Sequence, residues 1–246
     1  MYLTLPQNTL GNDYVVGDVH GCFSTLAQAL THIGFDAKHD RLISVGDLID
    51  RGPDNHLVAD WLDEPCNFSV LGNHEYQCLS GRGNECDWLN NSDPELQSRI
   101  KAQFRKLPVV IDIVVHWGKV GVVHAQVPTD VEHWQQMIDM AKTMNFEQFD
   151  RHECIWGRSR IRQQQDVPYH RVIAGVDLIL CGHTQTQTAQ RIGNHLFIDT
   201  GLYQGVTGYA DVSKLTLVNV TNKTMHLFTI RNGELDEASY ISFAMD

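Results

Sequence analysis

Apolar residues in the first third of the chain follow two alternating spacings. The short aliphatic or β-branched runs Tyr14-Val15-Val16, Leu42-Ile43-Ser44-Val45 and Phe68-Ser69-Val70-Leu71 read as strands. Between the first two, Phe23, Leu26, Leu30 and Ile33 recur at helical spacing until Gly34. Pro53-Asp54 then opens a second helical stretch through Leu57, Val58, Trp61 and Leu62. Strand, helix, strand, helix, strand predicts a parallel α/β sheet, and ligand sites in such sheets lie beyond the carboxyl ends of the strands.

The pattern then loosens. Ser80 to Asn91, rich in Gly and Asn, reads as a surface loop. Ser92-Asp93-Pro94-Glu95 has capping-box spacing ahead of the apolar stripe Leu96, Ile100, Phe104 and Leu107. Val109–Val115 and Val120–Val123, joined through Trp117-Gly118-Lys119, predict a β-hairpin. A second capping box, Thr129 to Glu132, predicts a helix through about Met144. The last third is strand-rich: Leu178–Cys181, His195–Ile198, Leu215–Val220, Met225–Ile230 and Tyr240–Phe243, with turns at Asn222-Lys223 and Asn232-Gly233. No repeat, low-complexity tract or linker divides the chain, so residues 1–246 read as a single domain.

Composition narrows the function. The formal net charge of −11 argues against a nucleic-acid binder, which needs a basic face for phosphates. It does not disfavour a phosphate monoester, because bound cations would dominate the local field. The six cysteines Cys22, Cys66, Cys78, Cys86, Cys154 and Cys181 show neither zinc-site nor disulfide-scaffold spacing and are expected to be reduced thiols. The N-terminus lacks the basic and apolar regions of a signal peptide, and no stretch is long enough to span a bilayer. A cytoplasmic monomer with no membrane partner is the expectation.

Each early strand run ends in a glycine-fenced motif. Asp18 and His20, two apart in Gly17-Asp18-Val19-His20-Gly21, can reach one cation from one face of an extended segment. Such a pair standing alone would be better read as an Asp and a His at a turn. Gly46-Asp47-Leu48-Ile49-Asp50-Arg51-Gly52 supplies two carboxylates and an arginine, and one carboxylate between two metals can bridge them. Gly72-Asn73-His74-Glu75 adds an amide oxygen and an imidazole. His124 and His183 also end strands. The other nine histidines lack partners at ligand spacing and are expected to be structural or solvent-facing.

Taken in order, these three motifs with Val123-His124-Ala125 and Gly182-His183-Thr184 resemble the phosphoprotein phosphatase family of metallophosphoesterases. That family includes bacteriophage lambda phosphatase, bacterial relatives and eukaryotic protein serine/threonine phosphatases. The resemblance spans residues 14–201 or so and implies a calcineurin-like α/β fold, a central β-sandwich of mixed sheets flanked by helices. It implies two divalent metal ions, Mn2+ by preference with Fe or Zn as alternatives. Asp18, His20 and Asp47 would hold one, and Asp47, Asn73, His124 and His183 the other.

The implied reaction is hydrolysis of a phosphomonoester on a protein or peptide. A hydroxide bound by both metals would attack phosphorus directly in line, with no phosphoenzyme. His74 is the implied proton donor to the leaving group and Asp50 its partner. Arg51 is the implied phosphate clamp. Trp156-Gly157-Arg158 resembles the Trp-x-Arg of bacterial members, which selects Arg158 over Arg160 and Arg162 as a second clamp. Tyr203 matches a tyrosine overhanging the metals. Gln126, where many members have Gly, is a departure that affects local loop shape. The segment from Val127 to Asp166 is expected to roof the cleft.

Two other readings compete. A symmetrical dinucleoside tetraphosphate (Ap4A) hydrolase shares the metal motifs, but that branch generally carries Ala at the position of Asp50 and Asp at that of Glu75. A catalytically dead interaction module would show eroded ligands, and none is eroded here.

Overall fold

The computed structural model describes residues 1–81, 86–162 and 171–242. Among the described residues, twelve strands, numbered along the chain, form two six-stranded mixed sheets. One sheet runs, in spatial order, β12 (Glu234–Ser242), β11 (Thr224–Arg231), β10 (Ser213–Asn219), β2 (Asp13–Val16), β3 (Arg41–Ser44) and β4 (Asn67–Ser69). The expected β2-β3-β4 parallel unit is present, and β10 joins it antiparallel through Val218 opposite Val15. The other sheet runs β1 (Tyr2–Leu5), β5 (Val110–Val115), β6 (Gly118–Val122), β7 (Leu178–Cys181), β9 (His195–Phe197) and β8 (Gln190–Ile192). Here β5 and β6 form the predicted hairpin, while β6, β7 and β9 are mutually parallel.

The sheets face each other across one aliphatic layer. Val15, Ile43 and Val218 of the first meet Ile111, Val120 and Leu180 of the second, all fully buried. Each such side chain contributes about 1.5–3 kcal/mol of burial energy. Their neighbours Val16, Leu42, Leu217 and Ile179 point the other way, into a second core beneath the helices. Burial on both faces is why these strands read as unbroken apolar runs.

The flanking helices are α1 (Phe23–His32), α2 (Val58–Asp63), α3 (Asn73–Ser80), α4 (Asp87–Asn90), α5 (Pro94–Phe104), α6 (Trp134–Thr143), α7 (Glu153–Trp156) and α8 (Leu202–Val206). The expected sandwich of mixed sheets flanked by helices is therefore the observed architecture. No helix among the described residues is long and apolar enough to cross a membrane.

Several local expectations need correction. Asp93, not Ser92, caps α5, because its carboxylate accepts from the Glu95 and Leu96 N–H groups. The Thr129–Glu132 box does not start a helix: Thr129 Oγ1 donates to Glu153, and α6 begins after His133. The stretch read as a surface loop contains α4, whose Leu89 is fully buried. Cys78 and Cys86 are joined as a disulfide with Cα atoms 5.5 Å apart, whereas Cys22, Cys66, Cys154 and Cys181 are free. No spacing in the sequence encodes the pairing, because it depends on how α3 and α4 meet. The strands β1 and β8, too short to show a periodicity, were not foreseen.

Candidate metal centre

The carboxyl ends of β2, β3 and β4 meet those of β6, β7 and β9 at one edge of the sandwich. Asp18 and His20 follow β2, Asp47 follows β3, and Asn73 and His74 open α3 after β4. His124 and His183 follow β6 and β7. All seven side chains are buried.

The backbone here is unusual. His20, Asp47, Asp50, Arg51 and His183 have φ of 45°, 52°, 71°, 67° and 65°, in the left-handed region that non-glycine residues avoid. Each costs on the order of 1–3 kcal/mol and needs support from its surroundings. Support comes from cross-bracing. The Val19 and His20 N–H groups donate to Asp47 O at 3.1 and 2.8 Å, and Gly21 N–H donates to Leu48 O at 2.8 Å. The Glu75 carboxylate accepts from the N–H groups of Asp47 (3.0 Å), Leu48 (2.8 Å) and Gly72 (3.0 Å). Glycine is required at two close approaches: a Cβ on Gly72 would strike the Asp47 backbone and carboxylate, and one on Gly182 the Asp18 carboxylate.

Imidazole orientation is fixed from behind. His20 Nδ1–H donates to Ile49 O and His124 Nδ1–H to Val45 O, each at 2.8 Å, which turns both Nε2 lone pairs toward the site. His124 Nε2 then lies 2.9 Å from Asn73 Oδ1 and 3.3 Å from Asp47 Oδ1, acceptor against acceptor. Asn73 Oδ1 is also 2.7 Å from His183 Nδ1. The lone pairs of His124 Nε2, Asn73 Oδ1 and Asp47 Oδ1, set against one another, suit a cation among them, and a carboxylate–imidazole–amide set suits Mn, Fe or Zn. The residues therefore fit the metal group. Asp47 belongs to two clusters of possible ligand atoms, one with His20 and His74 and one with His124 and His183.

Charge follows the same geometry. Burial pushes the Asp18 carboxyl well up, and the Asp199 and Asp47 charges add to it. Burial likewise lifts Asp199 to about 6. Burial acts upward on Asp47 too, but the imidazoles of His124, His74 and His20 hold it below the usual carboxylate range. Desolvation lowers His20 and His124 and takes His183 to about 3, so their ring nitrogens keep lone pairs at neutral pH.

Beside this cluster, His74 Nδ1–H donates to Asp50 Oδ2 at 2.6 Å. Its Nε2 faces inward, 3.7 Å from Asp47 Oδ2 and 3.2 Å from Arg51 Nη2. Arg51 Nη1 also donates to His20 Nε2 at 2.7 Å, and the guanidinium sits over the Tyr203 ring at 4.7 Å. Tyr203 is thus at the site, its ring 5.3 Å from that of His20. Arg158, which is exposed, donates from Nε to His183 Nε2 at 3.0 Å. Arg160 is buried and donates to the Val127 and Pro128 carbonyls. Arg162 is exposed on the next turn, its N–H bonded to Arg158 O at 3.0 Å. Gln126 is buried and binds Glu153 and Ser159, bracing the loop that carries Arg158. Residues 163–166 of the expected roof lie outside the described residues.

Sequence reasoning assigned no role to three residues. Asp199 ends the apolar run of β9 much as the other candidates end theirs, which was a usable signal. Glu75 is legible in the sequence only as the last letter of a motif and as a departure from the Ap4A-hydrolase branch, with no bracing role. Trp88, whose Nε1–H donates to Asp50 Oδ1 at 2.7 Å, gave no signal.

Comparison with known proteins agrees with this picture. Residues 14–187 match the calcineurin-like phosphoesterase family. Serine/threonine-protein phosphatase 1 of Salmonella typhimurium is 32% identical over 204 residues, 78% of this chain and 87% of that protein. A symmetrical bis(5'-nucleosyl)-tetraphosphatase of Coxiella burnetii is 42% identical over 83 residues, 33% of this chain and 27% of that protein. The crystal structure of a proposed diadenosine tetraphosphatase shares the fold, with a TM-score of 0.65 at 22% identity over 94% of this chain and 98% of that one.

Proposed function

The chain belongs to the calcineurin-like phosphoesterase family, and on that premise we propose that it is a metal-dependent phosphatase of phosphoserine and phosphothreonine in proteins, with phosphotyrosine as a further substrate. One observation carries the reading: the buried Asp50–His74 pair, 2.6 Å apart, with His74 Nε2 aimed at the ligand cluster. A monoester with a poor leaving group needs a proton on the departing oxygen, and this pair can deliver one. The similarity to a bacterial serine/threonine phosphatase over most of both chains supports the same substrate class.

In this reading Asp18, His20 and Asp47 hold one divalent cation and Asp47, Asn73, His124 and His183 the other, with Mn2+ as the activating ion. Two cations held there would supply the nucleophile at neutral pH, since such ions can lower the pKa of water from about 15.7 toward ~7. The chain's own groups do the rest. Arg51, stacked on Tyr203, swings its two-pronged guanidinium onto the phosphoryl oxygens, a geometry lysine cannot match. Arg158 closes on the phosphoryl group from the β7 side. Asp50 orients His74 so that its Nε2 protonates the leaving oxygen.

The Ap4A-hydrolase reading draws support from the 83-residue similarity to a tetraphosphatase. Assaying purified, Mn2+-loaded protein side by side on a phosphoserine peptide and Ap4A decides between them. We expect kcat/KM to favour the phosphopeptide, and a preference for Ap4A would overturn the proposal. Metal analysis of the freshly purified protein identifies the resident ion.

A further inference from the structure

The Cys78–Cys86 disulfide lies beside the proton-donor pair. Cys78 sits four residues after His74 in α3, so the two share a helix face one turn apart. Its partner Cys86 is the residue that leads into α4, and Trp88 is the second residue of that helix. From there the indole N–H returns to Asp50 Oδ1 at 2.7 Å, while Asp50 Oδ2 accepts from His74 at 2.6 Å. The five residues close a ring: His74, Asp50, Trp88, Cys86, Cys78. Both sulfurs approach the Asp50 carboxylate, all within 4.8 Å of one another.

A helix of four residues has no stability of its own. Among the described residues, the buried Leu89 and the bond to α3 help to hold α4 against the site. Asp50, meanwhile, needs external fixing, because it sits at φ 71°. With both carboxylate oxygens engaged, it can present only one orientation to His74. We propose that Trp88 is a positioning residue for the Asp50–His74 pair and that the Cys78–Cys86 disulfide holds it in place. This rests on the reading of His74 as proton donor. Reduction by a dithiol should therefore weaken the enzyme selectively. The bridge takes up two electrons and two protons to give two thiols while the reagent closes to its own disulfide.

The test compares phenyl phosphate, whose leaving group needs a proton, with 2,4-dinitrophenyl phosphate, whose leaving group does not. Wild type, His74→Asn, Trp88→Phe and the double variant Cys78→Ala/Cys86→Ala are assayed as metal-loaded proteins, with metal content and Tm measured on each. Trp88→Phe keeps the ring and removes only the N–H. We expect kcat on phenyl phosphate to fall about tenfold in Trp88→Phe and in the double variant, the size of one hydrogen bond to a charged group. On dinitrophenyl phosphate it should change less than about twofold, and metal content should not change. Equal losses on both substrates would mean that Trp88 serves only to hold the fold, which overturns the inference. If His74→Asn itself shows no leaving-group dependence, the donor assignment fails first. If His74→Asn shows the split and Trp88→Phe does not, only the present inference fails.

The bridge is checked by alkylating denatured, unreduced protein, which should label the four free cysteines only. Labelling of all six would refute it. Protein treated with dithiothreitol in the native state should acquire the same substrate split, and should count six thiols when the reductant is removed and the protein is then alkylated in denaturant. Retention of the bridge, or six thiols with no split, would overturn the redox dependence.

Discussion

The two sheets contribute to the candidate metal centre in different ways. The β2-β3-β4 side delivers Asp18, His20, Asp47, Asp50, Arg51, Asn73 and His74 from three loops that brace one another. Backbone N–H groups of residues 19–21 bond to the carbonyls of Asp47 and Leu48, and Glu75 gathers three more N–H groups. The β6-β7-β9 side delivers His124, His183 and Asp199, with Arg158 reaching in from an exposed turn. It is tied as well, by Gly182 N–H to His124 O at 2.7 Å, His124 Nδ1–H to Val45 O at 2.8 Å and His183 N–H to the Asp18 carboxylate at 3.0 Å. Among the described residues, however, none of its side chains gathers three N–H groups as Glu75 does, and Arg158 stands exposed. A rigid half is where positions must be held for chemistry, and a looser half is where substrate fit is tuned.

Asp47 is the one side chain shared by both ligand clusters, so its removal should have the largest effect. Asp47→Asn is expected to cut kcat/KM by about 10³-fold or more, the several kcal/mol that metal-ion catalysis supplies. Metal content should fall well below that of wild type. Near-normal metal content and activity would break the view that the halves meet at this residue.

Glu75→Gln tests the rigid half without touching a ligand atom. It keeps the shape but puts an amide NH2 in place of one of the two carboxyl oxygens that collect three N–H groups. Metal affinity should weaken about 10–100-fold, as for other groups that orient ligands, while kcat at saturating metal recovers most of its value. Titrating activity against metal concentration reads this directly, and an unshifted curve would sink the idea.

On the looser half, Arg158→Ala should raise KM for a phosphopeptide about tenfold, one charge-assisted contact, with Tm unchanged. Arg160→Met should do the reverse, costing about 1–3 kcal/mol of stability by stranding the Val127 and Pro128 carbonyls. If Arg160→Met alone moved KM, the two arginines would have to exchange roles.

The smallest effect at neutral pH lies behind the same half. His195 in β9 is fully buried, and burial takes its imidazole down to about 3. Neither ring nitrogen has a hydrogen-bond partner among the described residues. The unfolded chain protonates this histidine below about pH 6.5 and the folded chain does not until about pH 3. Stability is thus complete above about 6.5 and declines as the pH falls, by up to ~1.4 kcal/mol per unit. His195→Leu should flatten that decline in urea unfolding at pH 5 against pH 8. An identical slope in both proteins would show that the acid sensitivity arises elsewhere.

Much of this was legible in the sequence. The unbroken apolar runs of β2, β3 and β7 gave the strands, because strands buried on both faces have no polar alternation to confuse the reading. The ligand candidates were legible because each follows such a run. Legibility stopped where a role depends on contacts across the fold. Thr129 and Ser92 both had capping-box spacing, yet Glu153 took the first and Asp93 outcompeted the second. The choice of Arg158 over Arg160 and Arg162 rests on resemblance; the fold adds that Arg160 is buried while Arg158 and Arg162 are exposed.

The sequence by itself therefore determined which residue types stand at the ends of which strands, since local periodicity and glycine-fenced motifs are properties of adjacent positions. The tertiary structure alone decided that both sheets empty onto one edge and that Asp47 lies between two ligand clusters. It also decided that Glu75 bonds backward to Asp47 and Leu48, and that Cys78 and Cys86 are close enough to join. Each of these is a distance between segments remote along the chain, set by the packing of two sheets and their helices, and no spacing within a motif encodes it.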